Sequence, residues 1–146
     1  MAVKAIPEGF HSLTPGCVVE GAAKAMEFYK KVFHAEETVR MPGPNGTIMH
    51  AEMRIGDSIF MLGDGGPQMP PYAMNVMLYV TDVDTVYKRA VDAGCKVEAA
   101  LADMFWGDRA GRVVDPFGNT WFIATHKEDL TPEETQKRAD ALFGSK

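Results

Sequence analysis

The 146-residue chain restates its own pattern halfway along, and that restart constrains its fold more than any other feature. Ser12 to Val19 mixes small and β-branched residues and reads as a strand. From Gly21 to Phe33, apolar Ala22, Ala25, Met26, Tyr29, Val32 and Phe33 recur at intervals of three and four, the period of an amphipathic helix. Ala35 to Met41 reads as a strand, Pro42 to Gly46 as a loop, and Thr47 to Ile55 with Ser58 to Leu62 as a hairpin turned by Gly56-Asp57. Then the order begins again. Met74 to Val80 is a strand, and Thr81 with Asp84 has capping-box spacing. Val83, Val86, Tyr87, Ala90 and Val91 share a helix face that stops at Ala93-Gly94. Lys96 to Ala100, Gly111 to Val114 and Thr120 to Thr125 read as strands, with Asp115-Pro-Phe-Gly118 as a turn. Gly56-Asp57 aligns with Gly118-Asn119, 62 positions on, and Val19 with Val80, 61 positions on.

Each half therefore reads strand, helix, strand, strand, strand. The predicted fold class is α+β: two tandem β-α-β-β-β modules whose sheets curve into a cupped, open-barrel mixed sheet, plus a C-terminal helix. One domain spans residues 1–146, with module one at about 11–62, a Gly- and Pro-rich linker at 63–72, module two at about 73–126 and a helical tail at 127–146. The tail helix has a strong start, with Thr131 as N-cap, Pro132 at the first position and Glu134 closing a capping box. A hydrophobic fraction of 46% supports a packed core.

The formal net charge of −5, without a basic stripe, argues against a nucleic-acid partner. No apolar run reaches the roughly 18 residues of a membrane span, and Met1 to Phe10 lacks a signal peptide's apolar stretch, so a cytoplasmic location is expected. Cys17 and Cys95 stand in no motif and are expected to be reduced core residues.

Phe28-Tyr29 near the end of the first helix, inside this double module, resembles the vicinal oxygen chelate superfamily of glyoxalase I, extradiol dioxygenases, fosfomycin-modifying enzymes and bleomycin resistance proteins. Leu13-Thr-Pro15, Ala51 to Asp57, Trp106-Gly-Asp-Arg109, Asp115-Pro-Phe-Gly118, Ala124-Thr-His126, Glu128-Asp129 and Thr131-Pro-Glu-Glu134 are similar more narrowly to its PhnB-like branch. The resemblance implies a homodimer. It also implies a divalent-metal site with one ligand on the first and one on the fourth strand of each module. Spacing puts those positions at Thr14 and Asn75, and at Phe60 and Phe122. Phe cannot ligate a metal, and Thr and Asn are weak neutral donors. Their same-face neighbours Ser12, Ser58, Leu62, Ala73, Met77, Thr120 and Ala124 include no His or carboxylate. His50 and Glu52 share a strand face and form an alternative half-site.

Phe105, Trp106, Asp108 and Arg109 form the most informative polar-aromatic cluster. Trp106 offers a stacking face, and Arg109 a planar fork for a carboxylate or phosphate, or else for pairing with Asp108 or Asp115. The expected ligand-binding set is Thr14, Phe60, Asn75, Met77, Phe105, Trp106, Arg109 and Phe122. The expected function is metal-free binding of an amphiphilic or aromatic small molecule, with no cofactor. One alternative is a metal-dependent lyase, isomerase or dioxygenase holding one divalent metal. Another is a dimeric scaffold whose cup is filled by its own side chains.

Overall fold

A computed structural model describes residues 2–144. Its elements follow the repeat: β1 (Gly16–Val19), α1 (Ala22–Phe33), β2 (Glu36–Pro42), a 3-10 turn at Pro44–Gly46, β3 (Ile48–Ile55) and β4 (Ser58–Asp64). Then come β5 (Asn75–Tyr79), α2 (Val83–Asp92), β6 (Lys96–Asp103), β7 (Asp108–Val114), β8 (Thr120–His126) and α3 (Pro132–Phe143). The fold is α+β. The strands form two four-stranded mixed sheets, ordered β1-β4-β3-β2 and β5-β8-β7-β6, and neither closes into a barrel. In each sheet the first and last strands of the module run parallel and the others antiparallel.

Both modules tie the helix to the sheet by the same device. A helix leaves its first N–H groups without partners, and here the module's last strand supplies the acceptor. Asp64 on β4 accepts from the backbone N–H of Gly21 and Ala22, each at 2.9 Å. Thr125 on β8 accepts from Val83 N–H at 2.9 Å. In module two Asp82 adds a local cap on Thr85 N–H, so the cap is Asp82 rather than the expected Thr81. The predicted apolar stripe of α1 is the buried one: Ala22, Ala25, Met26, Tyr29, Val32 and Phe33.

The core lies where the helices meet the inner faces of the sheets. Tyr29, Phe33, Phe60 and Trp121 form an aromatic cluster, with ring centroids 4.6 Å apart for Phe33 and Trp121 and 5.9 Å for Phe60 and Trp121. A buried polar knot pins the modules together. Asp115, in the β7–β8 turn, accepts from Tyr29 Oη at 2.5 Å and Trp121 Nε1 at 2.8 Å. Asn119 Nδ2 donates to Tyr29 Oη at 2.9 Å and reaches Cys17 Sγ at 3.3 Å. Such a knot is tolerated in a core only when its members are satisfied. Both cysteines are buried and unpaired. Burial pushes the Cys17 thiol up and takes that of Cys95 to about 12.

The repeat holds in three dimensions, but with one change of register. In module one, Ile55 and Ser58 pair around the two residues Gly56 and Asp57. In module two the last bonded pair is Asp115 N–H to Asn119 O, which encloses three residues. The 62-position match therefore holds for the turn glycines alone. Beyond the turn the match is 61: Met61 pairs with Gly16, and Phe122 pairs with Met77. A one-residue slip moves a strand's side chains to the opposite face.

Candidate functional site

Each sheet has an inner face on the helices and an open face away from them. Strand alternation sets the membership. In module two, Gly111, Val113, Trp121 and Ile123 face inward, so the open face carries Asp108, Ala110 and Arg112 of β7 and Phe122, Ala124 and His126 of β8. Asn75, Met77 and Tyr79 of β5 join them through pairing with Thr120, Phe122 and Ala124. In module one the open face carries Gly16, Val18, His50, Glu52, Arg54, Met61 and Gly63. Val39 and Met41 of β2 extend it.

Module two's open face is built around Asp108, which is 2% exposed. Its Oδ2 accepts from Tyr79 Oη at 2.8 Å and Trp106 Nε1 at 2.9 Å, and its Oδ1 lies 2.8 Å from His126 Nδ1. Burial pushes this carboxyl up, but the donations from His126, Tyr79 and Trp106 together outweigh it and hold Asp108 below its ordinary value. The same bond to Asp108, joined by one from His126 Nε2 to Asp129 Oδ1 at 2.7 Å, raises His126 above its usual value. The bond to Asp108 also raises the Tyr79 hydroxyl.

Asp108 thus orients two aromatic rings. Trp106 meets Phe122 edge to face at 6.0 Å, and Phe105 meets Trp106 at 5.1 Å and Phe143 of α3 at 5.8 Å. Gly107 makes the turn possible: its φ is +103°, and a Cβ there would sit 2.6 Å from Glu128 O. Arg112 lies over the Phe122 ring, with its guanidinium carbon 4.8 Å from the centroid. A cavity of about 370 Å³ opens beside Asp108, lined by Asp103, Met104, Gly107, Lys127 and Glu128.

Five of the eight expected residues come together on or beside this face: Asn75, Met77, Phe105, Trp106 and Phe122. Thr14 lies just before β1, half-buried, in module one. Two residues are elsewhere. Phe60 is 4% exposed and sits in the core against Tyr29 and Trp121, because the register change gives Met61 the position equivalent to Phe122. Arg109 projects from the inner face, where it bonds Asp84 of α2 at 2.9 Å and Asp103 at 3.3 Å, not Asp108 or Asp115. Its place on the open face belongs to Arg112. Tyr79 and Arg112 were missed by sequence reasoning; their strand parity with Phe122 would have found them once the turn length was known.

The donor set does not fit the metal that the superfamily's enzymes hold. The open face carries Asn75, Met77, Tyr79, Thr120, Phe122 and Ala124 where β5 meets β8, and Gly16, Val18, Met61 and Gly63 where β1 meets β4; Met61 takes the position expected of Phe60, and none of these residues is a His or a carboxylate. His50 and Glu52 do share a face, but they bond each other at 2.8 Å, and among the described residues no third His, Cys, Asp or Glu joins them.

The profile of the Glyoxalase/Bleomycin resistance protein/Dioxygenase superfamily matches residues 11–123. The chain belongs to this superfamily. A Mycobacterium tuberculosis relative, the uncharacterised protein Rv0887c, is 41% identical over 136 residues, covering 86% of this chain and 80% of the relative. Among solved structures, TioX from Micromonospora superposes with a TM-score of 0.67 at 27% identity, covering 80% of this chain and 98% of TioX. TnmS3 from Streptomyces, described as an antibiotic binding protein, gives 0.62 at 24% identity over 87% of this chain and 99% of TnmS3. No helix among the described residues is long and apolar enough to cross a membrane.

Proposed function

We propose that the chain is a metal-free binder of a flat or amphiphilic organic molecule, held on the open face of module two and sequestered without turnover. The observation that carries this is the pairing of Met77 with Phe122 on the open face of module two, with Trp106 edge-on to Phe122 and no His or carboxylate in that pair. An apolar, aromatic surface with a few fixed polar groups suits such a ligand. TnmS3, which shares the fold, is described as an antibiotic binding protein, and this supports a binding role.

The working unit in this proposal is a homodimer. Val39, Met41, Met77 and Tyr79 leave 40–57% of their surfaces exposed on the two open faces. Apolar side chains grouped in this way favour a covering surface, and a second copy would convert two shallow faces into a closed cup.

Titration with N-phenyl-1-naphthylamine, a neutral flat dye that brightens on leaving water, tests the reading. Saturable binding, weakened about tenfold by Phe122→Ala with melting retained, is the expected result. An absence of saturable binding, or equal binding by the variant, would overturn it. Light scattering should give twice the chain mass.

A further inference from the structure

The chain has six arginines: Arg40, Arg54, Arg89, Arg109, Arg112 and Arg138. Five have their guanidinium groups engaged. Arg40 bonds Glu37, Arg54 bonds Glu36, Arg89 bonds Val32 O, Arg109 bonds Asp84, and Arg138 bonds Glu128. Arg112 makes no hydrogen bond among the described residues. Its Nε is fully covered and lacks an acceptor, and its Nη1 forms a long ion pair with Glu98 Oε1 at 3.8 Å, beyond hydrogen-bond distance.

An unpaired donor out of reach of water is costly, and a guanidinium offers five donors in a rigid fork suited to an oxyanion. This one is held in place from below by Phe122 and remains 40% exposed at its side chain. It therefore stands at the edge of the apolar surface made by Met77, Phe122 and Trp106, with its Nη end partly exposed and tied to the protein only by the long Glu98 ion pair.

The geometry points to Arg112 as the anchor for an acidic group on the ligand, so that the bound molecule is a flat apolar acid. Its oxyanion (carboxylate, sulfonate or phosphonate) accepts from the Nη groups of Arg112, and its ring system lies along Met77 and Phe122. This rests on the proposed binding role and adds the ligand's charge to it. The competing carboxylate is Glu98, half-exposed and 3.8 Å from Nη1, which the ligand's oxyanion must outcompete; Asp108 is already occupied by Tyr79, Trp106 and His126.

Two dyes that differ by one group test it: 1-anilinonaphthalene-8-sulfonate, and N-phenyl-1-naphthylamine, the same skeleton without the sulfonate. Both are titrated by fluorescence into wild type, Arg112→Gln, Arg112→Lys and Arg109→Gln, with each variant's melting temperature recorded. Arg112→Gln should weaken the sulfonate dye about tenfold or more, as expected for loss of a charge-assisted pair, and leave the neutral dye within about twofold. Arg112→Lys should recover part of the loss, since it keeps charge but not the fork. Arg109→Gln should change neither dye. Equal loss of both dyes in Arg112→Gln, or of neither, would overturn the anchor while leaving the binding role standing. Failure of both dyes to bind wild type would overturn the two together.

Discussion

Removing the Asp115 carboxylate should cost more than any other single polar change in this chain. Asp115 is 4% exposed and accepts four hydrogen bonds: from Tyr29 Oη, Trp121 Nε1, Phe117 N–H at 2.8 Å and Asn119 N–H at 3.0 Å. In Asp115→Ala the Phe117 N–H lies between exposed Pro116 and Gly118, where water can replace the carboxylate. Tyr29, Trp121 and the Asn119 N–H cannot be served in that way, these residues being 0%, 2% and 0% exposed. Three stranded buried donors at about 1–3 kcal/mol each give a loss of about 3–9 kcal/mol. For a chain of this size that is on the order of 10 °C or more in melting temperature. Thermal and urea unfolding should show it, provided the variant stays two-state. Tyr29→Phe deletes one of the stranded donors, so in Asp115→Ala/Tyr29→Phe the two losses should sum to less than their separate values by about 1–2 kcal/mol. A shift below about 2 °C in Asp115→Ala, or strict additivity, would refute the claim that this knot joins the modules.

Gly111→Ala would place its Cβ 2.4 Å from Tyr87 Cε2 and 3.1 Å from Leu101 Cα, so α2 must shift; denaturation should show a loss of about 1–3 kcal/mol. His126 should titrate above its ordinary 6.5 by NMR, and Asp129→Asn should lower it. The sign of the linked stability follows from that direction: the contribution of His126 is full below 6.5 and fades as pH rises through the raised value, so His126→Gln should flatten the melting curve against pH over that span. Cys17 and Cys95 should resist a disulfide reagent at pH 8 until the protein unfolds, since burial disfavours both thiolates; fast labelling of native protein would contradict this.

Local chemistry was legible in the sequence, and face assignment was not. The stripe of α1 and the box at Thr131 depend on residues within one or two turns of each other. The box forms as expected, with Glu134 N–H on Thr131 Oγ1 at 3.1 Å and Thr131 N–H on Glu134 Oε1 at 3.3 Å. The double module was legible for the same reason, as a repeated order of local patterns. What Phe60 and Arg109 face depends instead on the number of residues inside a turn. Gly118-Asn119 resembles Gly56-Asp57 by composition, but the Asp115–Asn119 bond admits one more residue and changes strand parity. Strand ends were also underestimated. β6 runs to Asp103 rather than Ala100, since its register irregularities between Val97 and Ala102 interrupt the alternation that marks a strand.

The central claim, an open face that holds its ligand without a metal, is tested most directly by one combined measurement. Untagged protein purified without chelators is assayed for divalent metal per protomer, and its binding of N-phenyl-1-naphthylamine is titrated before and after EDTA. Metal near zero with unchanged dye affinity is the predicted result. About one Zn, Mn, Ni or Fe per protomer, with dye binding lost on its removal, would contradict it.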